Sequence, residues 1–293
     1  MKFSAWVRMR LGLLTHPQFY RRPVSAIARR LLWKAVWSRR ESVRFRTHYG
    51  FEVEGSPADI GIGSLFYRGQ YEWGELELWQ RLLGRPGLTV IDVGANIGLY
   101  SLLAAESSRA RGYDDGRIFG FEPNPAECAK FRRNVEINGY GTVRVEQVAV
   151  SDRVGICRMA LPPEGLGVFG HLISEGDARH ARDEEVEVAT VDLDGWCAAA
   201  GVERIDLLKI DVEGHELQVL EGAAGLLGRK AIGVVLMEVG HGEWRRCVEI
   251  LRESGFEVHA IGTRGDLEPL DLDNLRGWSN VLALAPGARS YVA

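Results

Sequence analysis

Apolar runs of strand length alternate with amphipathic stretches over most of the chain. The strand candidates are residues 88–93, 117–121, 143–150, 205–211 and 231–239. Stretches with apolar residues at helical spacing follow several of these runs, at 99–107, from Pro125 and at 216–227. The helix from Pro125 is predicted to be capped by Asn124, with Glu127 closing a capping box. Strands that alternate with helices predict an α/β fold, in which a parallel sheet is wound right-handedly and carries helices on its faces.

The pattern changes towards the carboxyl end of the sequence. A helix is predicted at 243–253, and two further strand candidates follow at 256–261 and 280–285. No helical pattern follows the second of them, which is therefore predicted to pair antiparallel with the first. The sequence thus predicts a doubly wound sheet that is mostly parallel and has an antiparallel last strand.

The amino-terminal part has a different pattern. Residues 23–40 carry apolar residues at helical spacing. Residues 49–71 are rich in glycine and tyrosine, which predicts short strands and turns, and a helix at 72–83 follows. The predicted divisions are a basic amphipathic helical arm at 1–46, an extension with short strands and a helix at 47–86, and the main domain at 87–293.

Charge is distributed unevenly between the arm and the rest of the chain. Residues 1–46 hold 12 Lys or Arg and a single acid, whereas the remainder holds 24 basic and 39 acidic residues, a net charge of −15. The acidic remainder argues against a nucleic-acid partner, because a groove that follows a phosphate backbone needs positive charge.

Two interpretations of the arm stand side by side. It lies on a membrane surface, with its arginines toward lipid phosphates and Trp33 and Trp37 at headgroup level, or it packs its apolar stripe on the main domain. The stripe consists of Val24, Ile27, Ala28, Leu31, Leu32 and Ala35.

No apolar run reaches the roughly 20 residues of a transmembrane helix, and Arg8 and Arg10 interrupt any signal-peptide core. The four cysteines are far apart and form no C-x-x-C pair, so that neither disulfides nor a zinc cluster is predicted. We expect a cytoplasmic protein, with peripheral contact at the inner membrane face left open by the arm. The oligomeric state is not predicted.

A glycine-containing turn follows the first strand of the predicted sheet, with the sequence D-V-G-A-N-I-G at 92–98. In a doubly wound sheet, ligands bind beyond the carboxyl ends of the strands, where free N–H groups at a helix start attract a carboxylate. A dinucleotide fingerprint needs glycine at positions 96 and 99, where this chain has Asn96 and Leu99. The turn therefore favours S-adenosylmethionine and disfavours the alternative of an NAD-dependent nucleotide-sugar enzyme.

Acidic residues follow the first three strands. Asp92 is predicted to face the amino group of the methionine portion, and Glu122 to accept both ribose hydroxyls. Asp152 either reaches the adenine amino group or simply occupies a turn. The predicted cofactor residues are Asp92, Gly94, Ala95, Asn96, Gly98, Glu122 and Asp152.

Four runs resemble the FkbM family of methyltransferases. They are V-I-D-V-G-A-N-I-G at 90–98, F-E-P-N-P at 121–125, A-V-S-D at 149–152 and L-L-K-I-D-V-E-G-H-E at 207–216. The last run is the most specific, and the resemblance extends over about residues 71–285. It implies the class I methyltransferase (Rossmann-like) fold, S-adenosyl-L-methionine as methyl donor, and a small-molecule or glycan acceptor. By resemblance, the acceptor atom is a hydroxyl oxygen of a sugar or a polyketide-type natural product.

Methyl transfer to a hydroxyl needs an aligned acceptor and a base. Period-2 alternation at the end of the fourth strand places Lys209, Asp211 and Glu213 on one face, and His215 follows at the helix start. We expect Asp211 near the methyl group, Glu213 or His215 as base, and Lys209 keeping the carboxylates ionised.

Plainer interpretations of these residues remain. Lys209 and Asp211 form an internal ion pair, Glu213 caps the following helix, and the cofactor pocket belongs to a non-catalytic binding protein. Glu238 and His241 are placed to join the cluster, which would then offer metal ligands, but no spacing demands a metal and none is predicted. His171 and His180 lie in a polar insertion and are predicted to be surface residues.

Overall fold

The computed structural model describes residues 23–67, 73–161, 171–172, 184–240, 242–273 and 279–291. These residues form two compact units, of which the first ends at residue 67 and the second begins at Trp73. The segment boundaries predicted at residues 46 and 86 stay predictions, because the division into two compact units does not test them.

The first unit has an aromatic core. Its elements are helix α1 (Pro23–Ala35), a 3₁₀ turn (Trp37–Arg39), strands β1 (Val43–Arg46) and β2 (Glu52–Gly55), and helix α2 (Ile60–Tyr67). The two strands pair antiparallel. The rings of Trp33, Trp37 and Phe45 surround Phe66, with centroid distances of 5.2, 4.5 and 5.1 Å. This cluster holds α1 on the hairpin and on α2.

The apolar stripe of α1 faces solvent. Val24 and Leu31 are 80% and 62% exposed, and Ile27 and Leu32 are exposed as well. Trp33, which was expected at headgroup level in the membrane interpretation, is instead buried in the aromatic core. Helical periodicity identified the stripe correctly but did not say which face of the helix packs.

The second unit contains twelve strands, seven α-helices and a 3₁₀ helix (Ala288–Tyr291) among its described residues. The strands are β3 (Thr89–Val93), β4 (Arg117–Phe121), β5 (Val143–Glu146), β6 (Ala149–Val150), β7 (Gly155–Leu161), β8 (His171–Leu172), β9 (Glu184–Val191), β10 (Ile205–Ile210), β11 (Ile232–Val239), β12 (Glu257–Ile261), β13 (Leu267–Pro269) and β14 (Ser279–Leu284). The helices are α3 (Trp73–Leu82), α4 (Leu99–Ala110), α5 (Pro125–Asn138), α6 (Leu193–Ala200), α7 (Glu216–Glu221), α8 (Ala224–Gly228) and α9 (Trp244–Glu253).

Eight of these strands form one sheet in the order β13-β12-β14-β11-β10-β3-β4-β5. The pairs from β11 to β5 are parallel, and β14 runs antiparallel between β11 and β12. The predicted mostly parallel sheet with an antiparallel last strand is therefore confirmed. The chain runs outward from β3 to β5 and then returns to β10 on the other side of β3. This reversal places the switch point, where such sheets bind ligands, between β3 and β10.

The strand predicted at 143–150 is divided in the structure. Val143–Glu146 pairs with β4, whereas Ala149–Val150 leaves the main sheet and pairs with β9. Because β5 is an edge strand, its continuation is free to pair elsewhere. A second sheet, ordered β6-β9-β7-β8, results. Its core includes Ala149, from the predicted strand, together with Met159 and Val188, which lie in the segment between the third and fourth predicted strands that was described as a polar insertion.

Helix α5 begins as predicted, with one exception. Pro125 is its first residue, and the Asn124 side chain accepts a hydrogen bond from Ala126 N at 3.0 Å. The capping box expected with Glu127 is not formed, because the Asn124 N–H donates to Glu122 instead.

In the part of the chain that the structure describes, no helix is long and apolar enough to cross a membrane.

Close packing of α5 on the sheet makes Gly120 sensitive to substitution. A Cβ at this position would lie 2.3 Å from the ring of Phe131, which is fully buried. We expect Gly120→Ala to lower the free energy of unfolding by about 1–3 kcal/mol. Gly228→Ala is the matched control, because nothing lies within 4 Å of its Cβ and it ends a helix. Urea unfolding of both variants measures the difference; equal stability would contradict this packing.

Candidate active site

The turn after β3 approaches the end of β10 closely. Gly94 has φ +77°, and a Cβ there would lie 1.8 Å from the carbonyl oxygen of Asp211. Its N–H and that of Ala95 both donate to the Phe121 carbonyl, which fixes the turn on β4. Gly98, with φ +90°, precedes the first residue of α4 and has no side chain that could cap the helix. The helix start therefore stays open to an anion.

Glu122 links the turn to the next loop. The two oxygens of its buried carboxylate accept hydrogen bonds from Asn96 N and Asn124 N, both at 2.8 Å. Burial outweighs these hydrogen bonds and raises the pKa of Glu122 from 4.5 to about 7. The folded protein therefore binds more protons than the unfolded chain between these values, so this residue's contribution to stability declines as the pH rises through that window.

Asp92 lies inside the protein behind the turn. Its Oδ2 accepts hydrogen bonds from Ser101 N at 3.1 Å and Ser101 Oγ at 2.7 Å, which anchors the first turn of α4. Its Oδ1 is buried and has no hydrogen-bond partner among the described residues. Burial raises the pKa of Asp92, and the Lys209 ammonium partly opposes that shift. Asp92 thus has a structural role, and its predicted contact with the methionine amino group stays a prediction.

Lys209 and Asp211 form the ion pair that alternation along β10 allows. Lys209 Nζ donates to Asp211 Oδ2 at 2.7 Å and lies 4.4 Å from the centre of the Tyr100 ring. The Lys209 side chain is only 3% exposed, whereas Asp211 is 28% exposed. The pair therefore joins a buried cation to a partly exposed carboxylate at the carboxyl end of β10.

Two further carboxylates gather around Asp211. Oxygens of Asp211, Glu213 and Glu238 lie within 4.8 Å of one another. Glu213 reaches this position through a left-handed backbone conformation, φ +53°, and not through the strand alternation expected from the sequence. Burial, together with the negative charges of Asp211 and Glu213, raises the pKa of Glu238 to about 9. Glu238 therefore holds a proton at neutral pH.

His215 belongs to a different group of side chains. Ser151 Oγ lies 2.9 Å from His215 Nε2 and donates to Asp152 Oδ1 at 3.0 Å. A hydroxyl has one proton, so His215 Nε2 must be the donor in its contact with Ser151, which leaves Nδ1 as the ring's acceptor. Burial lowers the pKa of His215, and the charge of Asp152 partly opposes this. The structure joins His215 to a predicted cofactor residue.

Glu216 and Ser151 contact the predicted site residues but are not among those singled out from the sequence. Glu216 Oε1 accepts hydrogen bonds from Val212 N and Gly214 N, and so holds the loop that leads from β10 into α7. The only available signal was that both residues fall inside the quoted runs at 149–152 and 207–216. Their partners follow from tertiary contacts, which no local pattern reports.

Comparison with known proteins identifies the family. The family model described as Methyltransferase FkbM domain matches residues 92–258, which is more than half of the chain. The chain belongs to the FkbM family. It is an S-adenosylmethionine-dependent methyltransferase, and the resemblance inferred from the four runs is confirmed.

Three curated relatives illustrate the similarity. The 31-O-demethyl-FK506 methyltransferase FkbM of Streptomyces tacrolimicus is 34% identical over 60% of this chain and 75% of its own. The 2-O-methyltransferase NoeI of Sinorhizobium fredii is 31% identical over 48% of this chain and 59% of its own. The hexuronic acid methyltransferase AglP of Haloferax volcanii is 25% identical over 52% of this chain and 55% of its own.

Several predicted site residues of this FkbM methyltransferase come together. One group surrounds the turn and comprises Asp92, Gly94, Ala95, Asn96, Gly98 and Glu122. A second joins Lys209, Asp211 and Glu213 with Glu238, and a third joins Asp152 with His215. His180 and His241 lie outside the described residues, and His171 is described only as part of β8.

Lys209 is expected to stabilise the buried carboxylates of this methyltransferase. Replacement by Met should lower the free energy of unfolding at pH 7 by about 2–3 kcal/mol, somewhat less than for a fully buried pair, because Asp211 is partly exposed. The loss should shrink as the pH falls, since protonation neutralises the same carboxylates. Urea unfolding of Lys209→Met and of Lys209→Met/Asp211→Asn, which should recover part of the loss, measures the effect.

The control is Arg246→Met, which removes exposed ion pairs with Glu249 and Glu253 and should leave the unfolding midpoint unchanged. A Lys209→Met variant as stable as the wild type would show that the ion pair contributes nothing to the fold.

Proposed function

We propose that this enzyme transfers a methyl group to a hydroxyl oxygen of a sugar, a glycan or a polyketide-type natural product. The observation that carries the proposal is the juxtaposition, through Gly94 and Asp211, of the cofactor turn with a cluster of carboxylates. The names of the relatives support oxygen as the acceptor atom, since they specify 31-O- and 2-O-methylation. A hexuronic acid acceptor in a third relative supports a sugar.

The residues around the turn fit the methyl donor. The open start of α4 suits its carboxylate, the unpaired Asp92 Oδ1 suits a hydrogen-bond donor, and the Glu122 oxygens have lone pairs left for the ribose hydroxyls. When bound, S-adenosylmethionine supplies an electrophilic methyl group. Gly94 and Gly98 let the turn pack directly on the Asp211 backbone and on the Phe131 ring.

Glu213 is the base in this proposal. It lies in the carboxylate cluster beside Asp211, whereas His215 belongs to the separate group with Ser151 and Asp152. Burial and the neighbouring carboxylates raise the pKa of Glu238 to about 9, so Glu238 is protonated at neutral pH and does not serve as the base. Glu213 then accepts the proton that the acceptor hydroxyl loses, while Lys209 holds Asp211 in place.

Peripheral membrane contact through the basic arm is a second part of the proposal, and it is independent of methyl transfer. Its support is the excess of basic residues in 1–46 and the exposed apolar side chains of α1.

Glu122 should control cofactor affinity. Hydrogen bonds to a charged group contribute about 1.5–3 kcal/mol, so Glu122→Ala should weaken binding of S-adenosylhomocysteine by roughly tenfold to several hundredfold in calorimetric titration. Because the ionised carboxylate is the better acceptor and its pKa is about 7, wild-type affinity should fall about tenfold from pH 8 to pH 6.

Two variants sharpen this test. Glu122→Gln should lack the pH dependence, and Glu136→Ala, which removes a carboxylate that is 73% exposed on α5, should bind normally. Unchanged affinity in Glu122→Ala would remove Glu122 from the cofactor site.

Replacing Glu213 by Gln should lower methyl transfer by about 10²-fold to 10⁴-fold while the cofactor still binds, as expected for loss of a general base. His215→Asn should mainly weaken cofactor binding, because its partners are Ser151 and Asp152. The assay follows labelled methyl groups onto hexuronic acids, neutral sugars and macrolide alcohols, with the matching O-methylated compounds as controls.

Three outcomes would contradict the proposal. Normal turnover in Glu213→Gln would move the base elsewhere. Loss of activity in His215→Asn at unchanged cofactor affinity would make His215 the base. Methyl transfer to none of these acceptors by an enzyme that binds the cofactor would favour the non-catalytic alternative.

A further inference from the structure

Helix α1 has two faces of different character. Trp33 is 7% exposed and packs on Phe66 and Trp37, whereas Val24 and Leu31 are 80% and 62% exposed. Trp33 lies nine positions after Val24, which is about 2.5 turns at 3.6 residues per turn. The two residues therefore lie on opposite sides of the helix. The buried tryptophan therefore fixes the helix with its aliphatic side outward.

This concentration of exposed aliphatic side chains is uncommon within the protein. Among the described residues, seven large hydrophobic side chains are exposed, and five of them belong to α1 or follow it directly: Val24, Ile27, Leu31, Leu32 and Val36. The other two, Val154 and Ile156, lie next to each other at the start of β7. A continuous apolar face at the surface usually marks a binding surface.

Charge indicates what covers this face. The segment 1–46 holds 12 basic residues and one acid, and Arg39 and Arg40 are exposed directly after α1. An apolar face on a segment rich in arginine and lysine complements a surface that is anionic outside and apolar beneath, as a phospholipid bilayer is. Two copies packed through this face would bring two basic arms together, which their mutual repulsion opposes.

We propose that the face formed by Val24, Ile27, Leu31 and Leu32 inserts into the headgroup region of an anionic membrane, with Trp33 as the internal anchor that orients α1. This inference rests on the peripheral contact in the proposed function and identifies the residues and the lipid chemistry. The helix lies along the membrane plane, and the basic side chains of the arm contact lipid phosphates.

Vesicle flotation of the full-length protein tests the proposal. The wild type should float with vesicles that contain phosphatidylglycerol, and at least tenfold less with pure phosphatidylcholine. Ile27→Glu/Leu31→Glu should reduce binding to the anionic vesicles by at least tenfold, because it places two carboxylates in the apolar face. Val154→Glu/Ile156→Glu makes the same change at the other exposed apolar pair and should bind as the wild type does.

The outcomes separate the possibilities. Normal flotation of Ile27→Glu/Leu31→Glu would overturn the assignment of the face while keeping membrane contact through another part of the arm. A wild type that does not bind anionic vesicles would overturn both. A dimer in light scattering that the same variant dissociates, without vesicle binding, would make a second copy the partner. Unchanged melting temperature and cofactor affinity would show that each variant is folded. Methyl transfer is measured separately, because the proposed membrane contact is independent of it.

Discussion

The contact between Gly94 and the carbonyl of Asp211 is the constraint on which the site depends. Any side chain at position 94 would collide with the backbone at the end of β10, 1.8 Å from its Cβ. The cofactor turn and the carboxylate cluster are therefore held together by backbone shape before any side chain contributes. Sheet topology supplies the same proximity on a larger scale, because β3 and β10 are neighbours at the switch point.

The charges of the site are arranged around this contact with few cations. Burial raises the pKa values of Asp92, Glu122, Glu216 and Glu238, and only Lys209 lies among them as a buried cation in the described residues. Backbone N–H groups hold two of the other carboxylates in place, since Glu122 and Glu216 each accept hydrogen bonds from two of them. Such hydrogen bonds keep acids in place without adding competing positive charge near a cationic methyl donor.

The parts of this arrangement that the sequence predicted are those governed by local rules. Thr89–Val93 and Arg117–Phe121 are apolar strands of the central sheet, and the Lys209 pair follows from strand alternation. Glu213 departs from that alternation because its backbone is left-handed. The Ser151 contact with His215 spans 64 residues of sequence, and the orientation of α1 depends on one tryptophan. Neither has a periodic signature.

The position of β14 has a consequence for how the chain is made. This strand is the last of the eight to leave the ribosome, yet it lies between β11 and β12. Until it is synthesised, β11, which carries Glu238, is a sheet edge with unpaired backbone groups, and β12 has no neighbour on that side. The carboxylate cluster thus reaches its final surroundings only after β14 has been synthesised, and a nascent chain exposes an aggregation-prone edge until then.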